Sequence, residues 1–179
     1  MTLTLGSEAP TFDLPAVDGN TRSLGDYADA PALAVIWSCN HCPYVQAWEG
    51  RMIQIQRDYA DRGVRLVAVS SNDAARYPED SFDEMKTRAE RLGFNFDYLY
   101  DEDQSAAKAY APERTPEVFL FDRDRRLVYH GAIDDSRDEH LVQRHHLREA
   151  LDAVLDGQQP AVAKTPPVGC TIKWKPNDR

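Results

Sequence analysis

Residues 32–43 have the sequence ALAVIWSCNHCP, an apolar run that leads directly into two cysteines spaced C-x-x-C. A continuous apolar run of this length is typical of a strand buried on both faces of a sheet. Pro43 favours the first position of a helix, because its fixed φ suits a helix start. The apolar residues that follow at helical spacing are Val45, Trp48, Met52, Ile55 and Tyr59. The stretch therefore predicts a buried strand, a dithiol and then a helix with one apolar face.

Further strands and helices alternate along the rest of the chain. The pattern predicts strands at 64–69, 96–100, 117–121 and 126–130, and helices at 81–93, 104–110 and 139–156. This order indicates one α/β domain over residues 1–179, with a central mixed β-sheet flanked by helices on both faces. Residues 158–179 begin rich in proline but end in the apolar sequence GCTIKW, so we expect this C-terminal tail to dock on the body.

The composition excludes several function classes. The net charge of −9 is unsuited to nucleic acid, whose phosphates require a basic face. No run of about 18 apolar residues occurs, so we expect no membrane span. Residues 1–8 lack the basic and then apolar pattern of a secretory signal, and we therefore expect a cytoplasmic protein. Three cysteines are too few for a disulfide scaffold, which points to redox chemistry or metal binding.

Two cysteines where a strand meets a helix predict a reactive thiol. Unpaired N–H groups and the positive end of the helix dipole would stabilise a Cys39 thiolate, and such sites lower a cysteine pKa to roughly 3.5–7.5. Cys42, one turn later, would stay protonated until it resolves the mixed disulfide that Cys39 forms. His41 can carry positive charge or donate a hydrogen bond to the Cys39 sulfur, or it is an exposed loop residue.

Several motifs together resemble one known family. They are GSEAPTFDLP at 6–15, CNHC at 39–42, Thr115-Pro116, and GCTIKW at 169–174. With them the chain resembles the thioredoxin-like redoxins, which include peroxiredoxins and thiol–disulfide interchange proteins. The last motif is similar to the ending of a subgroup described as thiol–disulfide isomerases.

The resemblance implies a thioredoxin-like fold with N- and C-terminal extensions, and an enzyme that is a thiol–disulfide oxidoreductase. It implies no cofactor. The implied partners are a disulfide-containing protein or small molecule and a thiol reductant or oxidant.

The resemblance also implies that the Thr115–Pro116 bond is cis, which leaves the Thr115 backbone free for a substrate strand; an ordinary trans loop proline is the alternative. One departure concerns Leu33, which stands where thioredoxin has a buried acid. The group that deprotonates Cys42 is therefore open. Glu49 and the 134–135 aspartate pair are candidates that we expect to be solvated.

A peroxiredoxin-like thiol peroxidase is the alternative function. Cys42 would then be the attacking thiol and Cys39 its resolving partner. Val35 replaces the proline that peroxiredoxins carry seven residues before the attacking cysteine, and Arg114 is the candidate for their arginine.

Metal transport is a third hypothesis, in which Cys39, Cys42 and His130 would hold copper(I) or zinc. We expect no metal, because no second pair of ligands with metal-binding spacing follows. Cys170 is either a small buried thiol or, if the tail brings it near Cys42, a third redox thiol.

Overall fold

The computed structural model describes residues 3–176. The strands in this range are β1 (Asp13–Pro15), β2 (Thr21–Ser23), β3 (Leu33–Ser38), β4 (Arg65–Ser70), β5 (Asp97–Tyr100), β6 (Arg114–Thr115), β7 (Glu117–Phe121), β8 (Leu127–Gly131) and β9 (Cys170–Thr171). The α-helices are α1 (Pro43–Tyr59), α2 (Phe82–Leu92), α3 (Ser105–Tyr110) and α4 (His146–Leu155). None of the helices in this range combines the length and apolar character that a membrane span requires.

The central sheet has the strand order β5-β4-β3-β7-β8. Strand β3 runs parallel to β4 and antiparallel to β7, and β4 runs parallel to β5. Strands β7 and β8 form the antiparallel hairpin that the sequence predicts. The sheet is therefore mixed, as expected, and β3, which leads into the dithiol, is its middle strand.

Alternate residues of β3 contribute to two separate cores. Ala34 and Ile36 belong to a core that includes residues of α1, α2 and α4. Leu33, Val35 and Trp37 belong to a second core with α3 and the hairpin of β1 and β2. Because successive side chains of a strand point to opposite faces, this division confirms helices on both faces of the sheet.

Helix α1 begins where the sequence predicts. Pro43 is its first residue, and Cys42 is the N-cap residue, with extended backbone angles. The five apolar residues at helical spacing are all buried. Cys42 therefore lies at the helix N-terminus and not within the first turn.

The last predicted helix, 139–156, is wrong in its first half. Only a short 3₁₀ turn, Glu139–Leu141, and α4 are helical in this region. Between them, the Gln143 N–H donates to the Asp135 carboxylate at 3.0 Å, and the Asp135 N–H donates to the Arg144 carbonyl at 3.2 Å. These bonds to Asp135, eight and nine residues earlier along the chain, replace helical bonds and interrupt the helix.

The C-terminal tail lies against the body at several points. The Thr165 N–H donates to the carbonyl of His130 at 3.1 Å, and the Asp73 N–H donates to the carbonyl of Lys173 at 2.8 Å. Ile172 is 6% exposed and belongs to the second core. The predicted tail and the predicted single domain extend over residues 1, 2 and 177–179, which lie outside the described range.

We predict that Ile172→Ala lowers the free energy of unfolding by about 2–4 kcal/mol, because it removes buried apolar volume. Chemical denaturation measures the change. The matched control is Val168→Ala, since Val168 lies in the same tail and is 48% exposed. We expect the control to change stability by less than about 0.5 kcal/mol. Equal effects of the two changes would show that the tail does not stabilise the fold.

Candidate thiol site

Cys39 and Cys42 meet Thr115 in the folded chain. The Cys39 sulfur lies 3.8 Å from the Thr115 hydroxyl oxygen, and the Cys42 sulfur lies 3.5 Å from the Thr115 carbonyl oxygen. The Thr115–Pro116 peptide bond is cis, as the resemblance implied. Four of the residues singled out from the sequence therefore form one cluster, although Thr115 and the dithiol are far apart along the chain.

The sequence did not predict how deeply this cluster is buried. Cys39 and Cys42 are both 0% exposed, and Thr115 is 1% exposed. Cys170 packs against the two cysteines and is itself partly exposed. The tail therefore covers the dithiol on this side.

The expectation that the Thr115 backbone is free for a substrate strand is wrong for this structure. Strand β9 of the tail pairs antiparallel with β6, and Cys170 is the partner of Thr115 in that register. A segment of the same chain thus occupies the edge at which a substrate strand was expected.

Cys42, and not Cys39, is the sulfur that the structure favours as a thiolate. The Cys39 thiol donates a hydrogen bond to Cys42, and together with one from Cys170 this lowers the Cys42 pKa to about 4 against the opposing effect of burial. The N-terminus of α1 adds a favourable potential, because Cys42 is the N-cap residue. One contact opposes the charge: the Thr115 carbonyl would accept a bond from a protonated Cys42.

The surroundings of Cys39, in contrast, favour its protonated thiol. Donating its proton to Cys42 raises the Cys39 pKa, and burial and the negative charge of Asp80 raise it further. The Thr115 hydroxyl acts the other way and lowers it. These pKa shifts favour the opposite of the expected assignment, in which Cys39 is the thiolate and Cys42 is protonated.

Asp80 is a buried acid beside the dithiol that the sequence analysis missed. Its carboxylate is 0% exposed and accepts bonds from the Asn40 N–H at 2.7 Å, the His41 N–H at 3.2 Å and the Asn72 amide at 2.9 Å. These bonds hold the loop between the two cysteines. One local pattern could have drawn attention to Asp80, because this residue directly precedes Ser81, the capping serine of α2.

His41 does not play the expected part. Its Nδ1 hydrogen-bonds to Asp80, and its ring stacks on Tyr77 with centroids 5.6 Å apart. The expected hydrogen bond to the Cys39 sulfur is absent from the contacts of these described residues. His41 therefore bonds to Asp80 and not to the Cys39 sulfur.

The other acids that the sequence suggested are paired elsewhere and are not all solvated. Glu49 is buried and accepts a bond from Arg88 at 2.7 Å. Asp134 is buried and accepts bonds from Trp48 at 3.0 Å and Arg51 at 2.7 Å. Both acids thus form internal ion pairs, and only Asp135 of the 134–135 pair is exposed.

Of the metal ligands suggested by the sequence, Cys39 and Cys42 lie together, but His130 does not join them. His130 bonds to Glu117 at 2.6 Å and stacks on Phe119. Within residues 3–176, the group with ligand spacing is instead Cys39, His41 and Asp80, whose ligand atoms lie within 4.8 Å of one another. Arg114, the candidate peroxiredoxin arginine, has an exposed side chain.

We predict that the reduced protein retains thiolate absorbance in the ultraviolet well below neutral pH and loses it as the pH falls through about 4. The reason is that the Cys39 and Cys170 thiols donate to the Cys42 sulfur. Cys42→Ser should abolish this titration, and Cys39→Ala, which removes one donor, should move its midpoint upward. A midpoint near 8.5, the value of an unperturbed cysteine, would contradict the assignment.

Asp80→Asn should lower the pKa of Cys39, because it removes a negative charge that disfavours the thiolate. The NMR shift of the Cys39 β-carbon against pH measures this in a background of Cys42→Ser and Cys170→Ser. The buried amide should also cost about 1–3 kcal/mol of stability, since an NH₂ group would face N–H donors. The control is Glu79→Gln, an exposed neighbour, which should leave the Cys39 pKa unchanged.

Comparisons with known proteins identify the family of this chain. The sequence profile described as the AhpC/TSA family matches residues 5–130. The thiol-disulfide oxidoreductase ResA of Geobacillus kaustophilus (strain HTA426) is 27% identical over 143 residues, which are 79% of this chain and 75% of that protein.

Two crystal structures are similar over nearly their whole length. An uncharacterized conserved protein from Geobacillus kaustophilus is 45% identical with a TM-score of 0.92, covering 97% of this chain and 94% of that chain. A hypothetical protein from Sinorhizobium meliloti 1021 is 41% identical with a TM-score of 0.93, covering 99% and 98%. The profile match spans most of this chain and confirms the resemblance to redoxins, and the chain therefore belongs to the AhpC/TSA family.

Proposed function

We propose that this chain is a thiol–disulfide oxidoreductase whose reacting groups are the sulfurs of Cys39 and Cys42. The observation that carries the proposal is the position of these two cysteines, which form one buried cluster at the N-terminus of α1 and both contact Thr115. Two sulfurs so placed can close a disulfide and release two electrons and two protons. The name of the related ResA protein supports the same chemistry.

The structure supports a different order of steps from the one expected from the sequence. Cys42, as the charged sulfur, attacks one sulfur of a disulfide, forms a mixed disulfide and releases the other sulfur as a thiolate. Cys39 then attacks the Cys42 sulfur, closes the Cys39–Cys42 disulfide and expels the second sulfur, which takes up the Cys39 proton. The reverse sequence oxidises a pair of thiols.

Thr115 and Asp80 act on Cys39 in opposite directions. The Asp80 charge favours the protonated thiol, which keeps Cys39 as a proton donor to Cys42 in the reduced state. The Thr115 hydroxyl favours the thiolate and can stabilise Cys39 when it attacks or leaves. Together they support a resolving thiol that ionises only during the reaction.

A thiol peroxidase is the second candidate, because Cys42 is the thiolate in that alternative as well. Cys42 would attack one oxygen of a peroxide, become a sulfenic acid and release water or an alcohol. Cys39 would then attack the sulfenic sulfur and release a second water. The same disulfide results, so the two functions differ only in the oxidant.

The substrates and the location are also proposals. The partners are a disulfide-containing protein or small molecule and a thiol reductant or oxidant. The cytoplasmic location and the absence of nucleic-acid and membrane partners stay predictions from the sequence.

We predict that the purified protein accelerates reduction of glutathione disulfide and of insulin by dithiothreitol. Cys42→Ser and Cys39→Ser should each return turnover to the uncatalysed rate, because each removes one sulfur of the active disulfide. Leu141→Ser, a change at a residue 66% exposed, is the control and should keep the wild-type rate.

The reduction potential and peroxide consumption complete this test. A stabilised Cys42 thiolate favours the reduced form, so the potential should be less negative than about −270 mV, the value of thioredoxin. Peroxide turnover by the wild type without disulfide exchange would overturn the proposal and favour the peroxidase.

A further inference from the structure

The tail places a third sulfur at the dithiol. In the pairing of β6 with β9, Cys170 is opposite Thr115, the residue that contacts both Cys39 and Cys42. Cys170 also packs against the buried cluster that contains Cys39 and Cys42. The three sulfurs therefore lie in one cluster, in which Cys42 can form a disulfide with either of the other two after a small movement.

Close packing defines the position of Cys170. A β-carbon at Gly169 would lie 1.8 Å from the Thr115 carbonyl oxygen, so the strands approach as closely as they do only because this residue is glycine. Beyond Cys170, the Lys173 N–H donates to the Asn72 side chain at 2.9 Å, and the Lys173 carbonyl accepts from the Gln104 amide at 3.1 Å. The tail is thus held on both sides of the cysteine.

The three sulfurs differ in their access to solvent. Cys39 and Cys42 are 0% exposed, whereas Cys170 is partly exposed. A protein or small-molecule disulfide that approaches this face meets Cys170 first. Direct attack on a substrate by Cys42 would require the tail to leave, against the contacts described above.

We propose that Cys170 is a catalytic thiol that exchanges disulfides between external substrates and the buried Cys39–Cys42 pair. The proposal rests on the proposed function, since it names the sulfur through which that reaction reaches its substrate. In this proposal, strand β9 occupies the edge of β6 at which a substrate strand was expected, and it does so as part of the same chain.

The exchange is balanced at each step. The Cys170 thiol gives up its proton as its sulfur attacks an external disulfide RSSR, forms Cys170–S–S–R and releases RS⁻, which takes up that proton. The Cys42 thiolate attacks the Cys170 sulfur, forms the Cys42–Cys170 disulfide and releases the second RS⁻. Cys39 then attacks the Cys42 sulfur, closes the Cys39–Cys42 disulfide and returns its proton to Cys170. Two external thiols form and two protein thiols are oxidised.

The relative acidities of Cys42 and Cys170 also suit the reverse reaction, in which an external thiol reduces the protein disulfide. Burial and the bond to Cys42 raise the Cys170 pKa to about 11, although Lys173 opposes this. Because the weaker base leaves faster, an external thiolate that attacks the exposed sulfur of a Cys42–Cys170 disulfide expels Cys42. In this disulfide, Cys170 is thus the accessible sulfur that is attacked, and Cys42 is the better leaving group that is released.

Tryptic peptide mapping can detect the proposed intermediate. Cys39 and Cys42 share the peptide 23–51, whereas Cys170 lies in the peptide 165–173, because cleavage follows Arg22, Arg51, Lys164 and Lys173. After oxidation by excess glutathione disulfide, Cys39→Ser should yield the two peptides joined by a disulfide. Cys42→Ser should yield at least about tenfold less of this product, since thiol–disulfide exchange depends on access to the attacked sulfur.

Kinetic measurements form the second part of the test of Cys170. Cys170→Ser should lower turnover of glutathione disulfide by about tenfold or more, because exchange then depends on access to buried sulfur. Its Cys39–Cys42 disulfide should still form with diamide, at a midpoint potential close to that of the wild type. Val168→Ser, which leaves all three thiols in place, should keep the wild-type rate. Gly169→Ala, which also retains every thiol, should slow turnover because it displaces β9.

The outcomes separate the two proposals. If the wild type exchanges disulfides and Cys170→Ser is equally fast or faster, the role of Cys170 is wrong and the proposed function stands. If the wild type forms no Cys39–Cys42 disulfide and shows no exchange, the proposed function itself fails. Absence of the joined peptides in the oxidised Cys39→Ser protein overturns the Cys170 step on its own, and circular dichroism of each variant verifies that it is folded.

Discussion

The pairing of Thr115 with Cys170 is the contact on which the rest of the site depends. Thr115 contacts the two cysteines of the C-x-x-C pair through its hydroxyl and carbonyl groups, and its backbone pairs with the third. One residue thus sets the positions of three sulfurs. Gly169 allows the strands to come this close, and the bonds made by Lys173 hold the tail in register.

Burial changes the chemistry that a C-x-x-C pair performs. An exposed pair reacts with any disulfide that collides with it, whereas this pair is fully buried. Burial alone disfavours a thiolate, so the charge is stable only where donors surround it. Cys42 has two thiol donors and the N-terminus of α1, while Cys39 faces the Asp80 carboxylate. These surroundings therefore favour the negative charge on the second cysteine.

Asp80 connects the loop of the dithiol to the rest of the molecule. It accepts hydrogen bonds from two backbone N–H groups between the cysteines and from the His41 ring, and it is fully buried. A buried carboxylate is retained only where several donors satisfy it, and here those donors belong to the active loop and to Asn72. The same acid that shapes the loop also raises the Cys39 pKa. Structure and reactivity are thus coupled through one residue.

The sequence by itself determined the features that depend on near neighbours. The apolar run of β3, Pro43 at the start of α1 and the capping serine of α2 are local patterns, and the structure confirms all three. The resemblance to redoxins added the cis bond at Pro116, which spacing alone does not reveal.

Only the tertiary structure decided which sulfur the surroundings favour as the thiolate, which groups cover it and which acid lies beside the dithiol. Asp80 and Cys170 reach the dithiol from 38 and 128 residues beyond Cys42 along the chain. The break before α4 results from bonds of Asp135 with Gln143 and Arg144, eight and nine residues later along the chain, a separation that helical periodicity does not reveal. The physical reason is the same in each case. Periodicity and capping are properties of adjacent residues, whereas charge, burial and hydrogen bonding depend on distances that exist only once the chain has folded.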